Sequence, residues 1–168
     1  EKTRQQFEQN LLPKFMQRQR WFGAKSETLT RAALVDQAML DVDGKPWLLA
    51  LVDAQCAGTS TRYFVPMTLA FEDQDEERAR SLAALAVTKV RQQAEVGVIA
   101  DAMGDEAFCK ALVAAMGAGR SLRSDGGSLR FNAGKGFTDL VGNPPAEATP
   151  LRRLTNSSNS ISLLGDRL

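Results

Sequence analysis

Phe7, Leu11, Leu12, Phe15 and Met16 recur at helical spacing with arginine, lysine and glutamine between them, which predicts a helix over residues 3–20. Pro13 has no N–H to donate, so a break is expected near Leu12 with a new first turn starting at Pro13. Phe22-Gly23-Ala24 ends that segment. Three strands are predicted next. In residues 28–42, Ala32, Leu34, Ala38, Leu40 and Val42 fall on one face by simple alternation, and Asp43-Gly44 supplies a hairpin turn into Trp47–Asp53. After Gly58-Thr59-Ser60, the positions Tyr63, Val65, Met67, Leu69 and Phe71 share one face of a further strand. Pro66 marks that strand as an edge, or as bulged at that point. An amphipathic helix followed by long antiparallel strands makes an α+β helix-on-sheet layer.

The middle of the chain is less regular. Residues 81–91 mix an alanine-rich run with β-branched Val87, Thr88 and Val90, so either element type fits, whereas residues 96–101 read as a strand. Asp105–Met116 reads as a helix: Asp105 caps it, Phe108, Leu112, Ala115 and Met116 form its stripe, and Gly117 stops it. Arg120–Arg123 and Ser128–Phe131 flank Ser-Asp-Gly-Gly, a hairpin signal. Gly134–Pro150, with three glycines and three prolines, reads as a linker. Beyond it, Leu151 and Leu154 precede a polar loop, Ile161, Leu163 and Leu164 follow it, and Gly165-Asp166 forms a reversal. The expected organisation is a main unit over 1–133, a linker over 134–150 and the start of a second unit over 151–168. Glu1 in place of an initiator methionine, and a last strand that is only begun, give the expectation of a piece of a longer protein.

Charge and composition narrow the function classes. The net charge of +1 over 168 residues argues against a dedicated nucleic-acid or membrane-surface binder, despite the basic bias of residues 1–31. Histidine is absent, which excludes Ser-His-Asp and Cys-His nucleophiles and His-ligated zinc within these residues. Cys56 and Cys109 stand in apolar surroundings without Cys-x-x-Cys spacing and read as buried free thiols in a reducing, cytoplasmic compartment. No apolar run reaches the ~18 residues of a membrane span. Glu72, Asp73, Asp75, Glu76 and Glu77 read as a solvated loop or a helix N-terminus.

The stretch Leu12–Lys25 sets Arg18 and Arg20 beside Trp21 and Phe22, with Lys25 following. As chemistry alone this is a structural corner, in which large rings close one end of a helix–sheet core. It also resembles the Arg-x-Arg-Trp-Phe-x-x-Lys signature near the start of bacterial maltokinases, both stand-alone and fused to trehalose synthase. The likeness continues in order. Tyr63-Phe-Val-Pro-Met-Thr-Leu69 resembles that family's Tyr-x-x-Pro-Leu strand, and Gly97–Ala102 with Asp105–Phe108 its strand-then-helix segment. Ser158-Asn159-Ser160 with Gly165-Asp166-Arg167 resembles its phosphate-covering hairpin. Asn156-Ser157 stands where that family has Glu-Gln, and Leu154-Thr155 where it has Gly-Ala, so this loop is glycine-free and stiffer.

The resemblance implies a maltokinase N-terminal cap, a helix packed on a curved antiparallel sheet. The first β-hairpin of a protein-kinase-like N-lobe would follow. The full-length protein would then be a carbohydrate kinase, transferring phosphate from ATP to maltose with Mg2+ to give maltose 1-phosphate. Its partners would be the remaining kinase domain of the same chain, maltose and a trehalose synthase domain or protein, with neither nucleic acid nor membrane. Ser157, Ser158, Asn159 and Ser160 would be the nucleotide phosphate loop. Arg18, Arg20, Trp21, Phe22 and Lys25 would be structural. No catalytic residue or metal ligand is assigned within residues 1–168, and no cofactor or activity is expected of these residues alone. The alternative is a non-catalytic interaction module of an α-glucan enzyme.

Overall fold

The computed structural model describes residues 2–142, 151–154, 159 and 161–164. Its N-terminal helix runs through Pro13 without a break in helical backbone. α1 (Lys2–Gln6) passes into one wide π-type turn, Phe7–Leu11, and then into α2 (Leu12–Arg18). Proline cannot donate to the carbonyl one turn back. The chain adapts by widening, with the Leu12 N–H bonded to the Phe7 carbonyl five residues back. The break expected near Leu12 is therefore a π-bulge, one wide turn inside a helix that continues past it.

Five strands form one antiparallel sheet in the order β1-β2-β3-β5-β4. They are β1 (Leu29–Val42), β2 (Lys45–Cys56), β3 (Thr59–Phe71), β4 (Ala86–Gln92) and β5 (Glu95–Asp101). Asp43 and Gly44 both adopt positive φ, 54° and 74°, as a two-residue hairpin turn requires. The uncertain stretch 81–91 resolves into the end of α3 (Glu76–Leu82), a short 3-10 turn and β4. The acidic run forms the turn before α3 and its first residues, with Asp75 accepting from the Arg78 N–H. α4 (Glu106–Gly117) begins after the expected Asp105 cap, which accepts from the Ala107 N–H. Three shorter elements follow: the hairpin β6 (Ser121–Arg123) and β7 (Ser128–Arg130), α5 (Phe137–Val141), and the hairpin β8 (Leu151–Leu154) and β9 (Ile161–Leu164). α5 occupies part of the segment expected as a linker, and residues 143–150 lie outside the described residues.

The sheet is a wall between two cores. On one face α2 buries Leu12, Phe15 and Met16 against Ala32, Ala50, Val52, Val65 and Met67. On the other, α4 buries Phe108, Ala111 and Ala115 against Leu40, Trp47 and Leu49, and α3 buries Ala79 and Leu82 against Ala70, Val98 and Ala100. β1 serves both, which corrects the expectation that its apolar positions share a face. Leu34 pairs with Val52 and Asp36 with Leu51, so Val35 is one residue too many. That bulge inverts the alternation: Ala32 and Leu34 face the α2 side, Ala38 and Leu40 the α4 side. The extra side chain, Val35, is 42% exposed.

Pro66 is placed as its chemistry demands. β3 is paired on both sides only at Met67 and Thr68, and at Pro66 its sheet partner is Leu49 of β2. Gly97 permits the close approach of β5 to its neighbour β3, since a Cβ there would stand 2.6 Å from the Ala70 carbonyl oxygen.

Glu8 is the charge that fixes the N-terminal helix on β1. It is only 4% exposed and accepts from Arg4 Nε (2.9 Å), Arg31 Nη2 (2.9 Å) and the Leu34 N–H (3.2 Å). Burial pushes its pKa up, but the hydrogen bonds from Arg4, Arg31 and Leu34 outweigh that and hold it below the ordinary glutamate value. A lowered folded-state pKa gives stability that is full above the unfolded value and is lost as pH falls through the folded one. Both arginines are half-exposed and can be resolvated, so we expect Glu8→Gln to cost about 1–3 kcal/mol at neutral pH rather than the full cost of a broken buried pair. The loss, read by urea unfolding, should shrink below the ordinary glutamate pKa. A loss independent of pH would show that the Glu8 charge does not matter.

Candidate functional site

The signature residues divide between core and surface. Phe22 is buried, Trp21 is partly buried against the same cluster, and Arg18, Arg20 and Lys25 are exposed. Arg18 donates from Nε to the Lys14 carbonyl at 3.1 Å, so it closes the last turn of α2. Trp21 packs tilted on Tyr63, with ring centroids 5.7 Å apart, and edge-on to Phe15 at 6.4 Å, and Phe22 lies 5.5 Å from Tyr63. The Gly23 N–H donates to the Tyr63 hydroxyl at 3.3 Å. This aromatic cluster ties the loop after α2 to β3 and accounts for the adjacency of two large rings in the sequence.

A groove of about 430 Å3 opens beside that cluster, along the length of β3 that β5 does not cover. Trp21, Tyr63, Phe64, Val65 and Pro66 line it, Asp101 and Met103 close it where β5 ends, and Asn159 stands on its wall. Three sequence segments singled out separately therefore converge on one place: the signature, the Tyr63–Leu69 strand and the end of the Gly97–Ala102 segment. Their spacing along the chain gave no sign of it. Asp101 is 3% exposed and accepts from the Met103 N–H at 2.9 Å.

Asn159 is exposed at a bend between β8 and β9, whose register pairs Leu154 with Ile161. Ser157, Ser158 and Ser160, the other three phosphate-loop candidates, lie outside the described residues. The hairpin reaches the body of the molecule at a second point, where Cys109 Sγ of α4 lies 3.9 Å from Ser162 Oγ. Burial raises the Cys56 pKa, with the negative charge of Glu27 adding to it, so that thiol is held protonated. Among the described residues, no three His, Cys, Asp or Glu side chains cluster to hold a metal ion.

A third polar centre lies beneath α3 and α4. Asp105 Oδ2 accepts from Trp47 Nε1 (2.9 Å) and from Arg78 Nη2 (2.7 Å) and Nε (3.2 Å), while Arg78 Nη2 also reaches Thr68 Oγ1 (2.7 Å). Asp105 was legible as a helix cap but not as the partner of Trp47, because the two are 58 residues apart.

The maltokinase N-terminal cap domain model matches residues 15–105, from Phe15 on α2 to the Asp105 cap of α4. The chain belongs to the maltokinase N-terminal cap domain family. No individual curated protein matches it. The match covers the second half of α2, the whole five-stranded sheet, α3 and the Trp21–Tyr63 cluster, so Arg18–Lys25 and the aromatic corner they build are parts of the cap domain itself. Among the described residues, no helix of the cap or of the segment after it is long and apolar enough to cross a membrane.

The two tryptophans differ in what holds them. Trp47 is 1% exposed and hydrogen-bonded to Asp105, whereas Trp21 keeps one side in the groove. We expect Trp47→Ala to cost about 3–5 kcal/mol and Trp21→Ala about 1–3 kcal/mol by chemical denaturation. The reverse ranking would mean that the Trp21 corner, not the α4 face, carries the main core.

Proposed function

We propose that this chain is the N-terminal part of a maltokinase-type phosphotransferase, which moves the γ-phosphate of ATP to maltose and forms maltose 1-phosphate. The observation that carries this reading is the cap-domain match over residues 15–105. A cap of this family belongs with a kinase, and the β8–β9 hairpin beyond it has the strand–polar loop–strand order of a nucleotide-covering hairpin. In this reading Ser157, Ser158, Asn159 and Ser160 present hydroxyl, amide and backbone donors to nucleotide oxygens. These are four small polar side chains suited to phosphate, with no carboxylate among them to repel it.

Magnesium, when bound with ATP, neutralises charge on the phosphates. Its ligands and the catalytic carboxylate would come from the remaining kinase domain, which is the cap's partner in the same polypeptide. A trehalose synthase domain, fused or separate, would supply maltose, and the cytoplasm would be the place of reaction.

The test is kinetic and needs a chain that carries the complete kinase. Asn159→Ala removes one donor to a charged oxygen, an interaction worth about 1.5–3 kcal/mol. We expect kcat/KM for ATP to fall by roughly ten- to a hundredfold, with KM for maltose little changed. Unaltered ATP kinetics in a folded variant would take the loop out of nucleotide binding. Phosphoryl transfer to maltose by residues 1–168 alone would contradict the assignment of the catalytic groups to the remaining domain.

A further inference from the structure

A two-stranded hairpin with four residues on each side does not hold itself together in water; it needs a third strand or a surface to lie on. Among the described residues no third strand joins β8 and β9. Yet Ile161, Ser162 and Leu163 of β9 are all half-buried, although successive side chains of a strand point to opposite faces. The main unit meets β9 at α4. Cys109 Sγ lies 3.9 Å from Ser162 Oγ and 3.7 Å from the Met103 carbonyl oxygen. Asn159, three residues before Ser162, stands on the wall of the groove that Asp101 and Met103 close. Both meeting points therefore involve one short stretch, residues 101–109.

Two buried aspartates hold that stretch in shape. Asp101 caps the 3-10 turn Ala102–Gly104 by accepting from the Met103 N–H, and Asp105 caps α4 by accepting from the Ala107 N–H. The Asp105 N–H closes the turn on the Ala102 carbonyl at 2.9 Å, and the Cys109 N–H bonds the Asp105 carbonyl at 3.2 Å. Through Trp47 and Arg78, Asp105 ties the same stretch to β2 and α3. Cys109 is itself buried, so its sulfur is fixed by packing.

We propose that this stretch is the seat of the β8–β9 hairpin, and that Cys109 and Ser162 are positioning residues for the nucleotide. The nucleotide part rests on the phosphotransferase reading; the seat does not. Three residues of extended chain span about 10 Å, so holding Ser162 confines Asn159 to a small volume. A loop already held in its binding position spares the nucleotide the cost of ordering it, whereas a freed loop weakens binding by the fraction of time it is misplaced. The cap thereby acts on ATP affinity without touching the phosphates.

Ser162→Cys tests the seat in the 168-residue chain. It places a second sulfur opposite that of Cys109, where small side-chain rotations reach disulfide length. The other thiol, Cys56, is buried and held protonated, and does not compete. We expect diamide to join positions 109 and 162 within one molecule, as read by peptide mapping, with Cys56 still reduced. Kinetics on the chain that carries the complete kinase test the positioning. Ser162→Arg, too large for the seat, should raise KM for ATP roughly three- to tenfold and leave kcat and KM for maltose within about twofold. Oxidised Ser162→Cys should keep the KM for ATP of its reduced form, or lower it. Failure of the disulfide to form in the folded chain would overturn the seat. Three kinetic results would overturn the positioning role: ATP kinetics unchanged in Ser162→Arg, a fall in kcat with KM for ATP unmoved, or a rise in KM for ATP on oxidation that reduction reverses. The phosphotransferase reading falls separately, on Asn159→Ala.

Discussion

The α4 side of this molecule depends on one buried carboxylate. Asp105 is 5% exposed and takes the Trp47 indole N–H, two bonds from Arg78 and the first-turn Ala107 N–H. Through Arg78 the network continues to Thr68. A single side chain thus joins β2, β3, α3 and α4, and none of its partners is left wanting: among the described residues, no buried side-chain polar atom lacks a hydrogen bond. A satisfied network of this kind fixes orientation as much as it adds stability, because any other docking of α3 or α4 would strand a charge in the interior.

The N-terminal side is held by a different device. Glu8 faces arginines that remain half in water, so its bonds are lost at lower cost, and the apolar stripe of α2 carries most of the attachment. Between the two layers the sheet stays one piece because β1 changes face. The Val35 bulge lets the same strand give Leu34 to one core and Leu40 to the other.

Much of this was legible in the sequence, and the parts that were not share a physical cause. Local signals held: the Phe7–Met16 stripe, the Asp43-Gly44 turn, the Asp105 cap and the edge character of Pro66 all act within a few residues. What misled was counting by twos through Val35, since a bulge leaves no mark in an otherwise even alternation. Pro13 signalled a disturbance correctly but not its form, because a wide turn and a break both answer a missing N–H. The convergence of Trp21, Phe64, Asp101 and Asn159 on one groove is a product of sheet order and strand length, which no local pattern encodes. The phosphate-loop assignment rests on family resemblance, with Asn159 alone of its four residues among those described.

If Asp105 is the fastening of the whole α4 face, and not only the cap of one helix, its loss must be felt by elements that it does not cap. Amide hydrogen exchange on Asp105→Asn, which keeps the shape and removes the charge, separates the two roles. We expect α3 (Glu76–Leu82) and α4 (Glu106–Gly117) to lose protection together while α2 and the strands facing it keep theirs. A loss confined to the first turn of α4 would reduce Asp105 to a local cap and contradict its role as the fastening of that face.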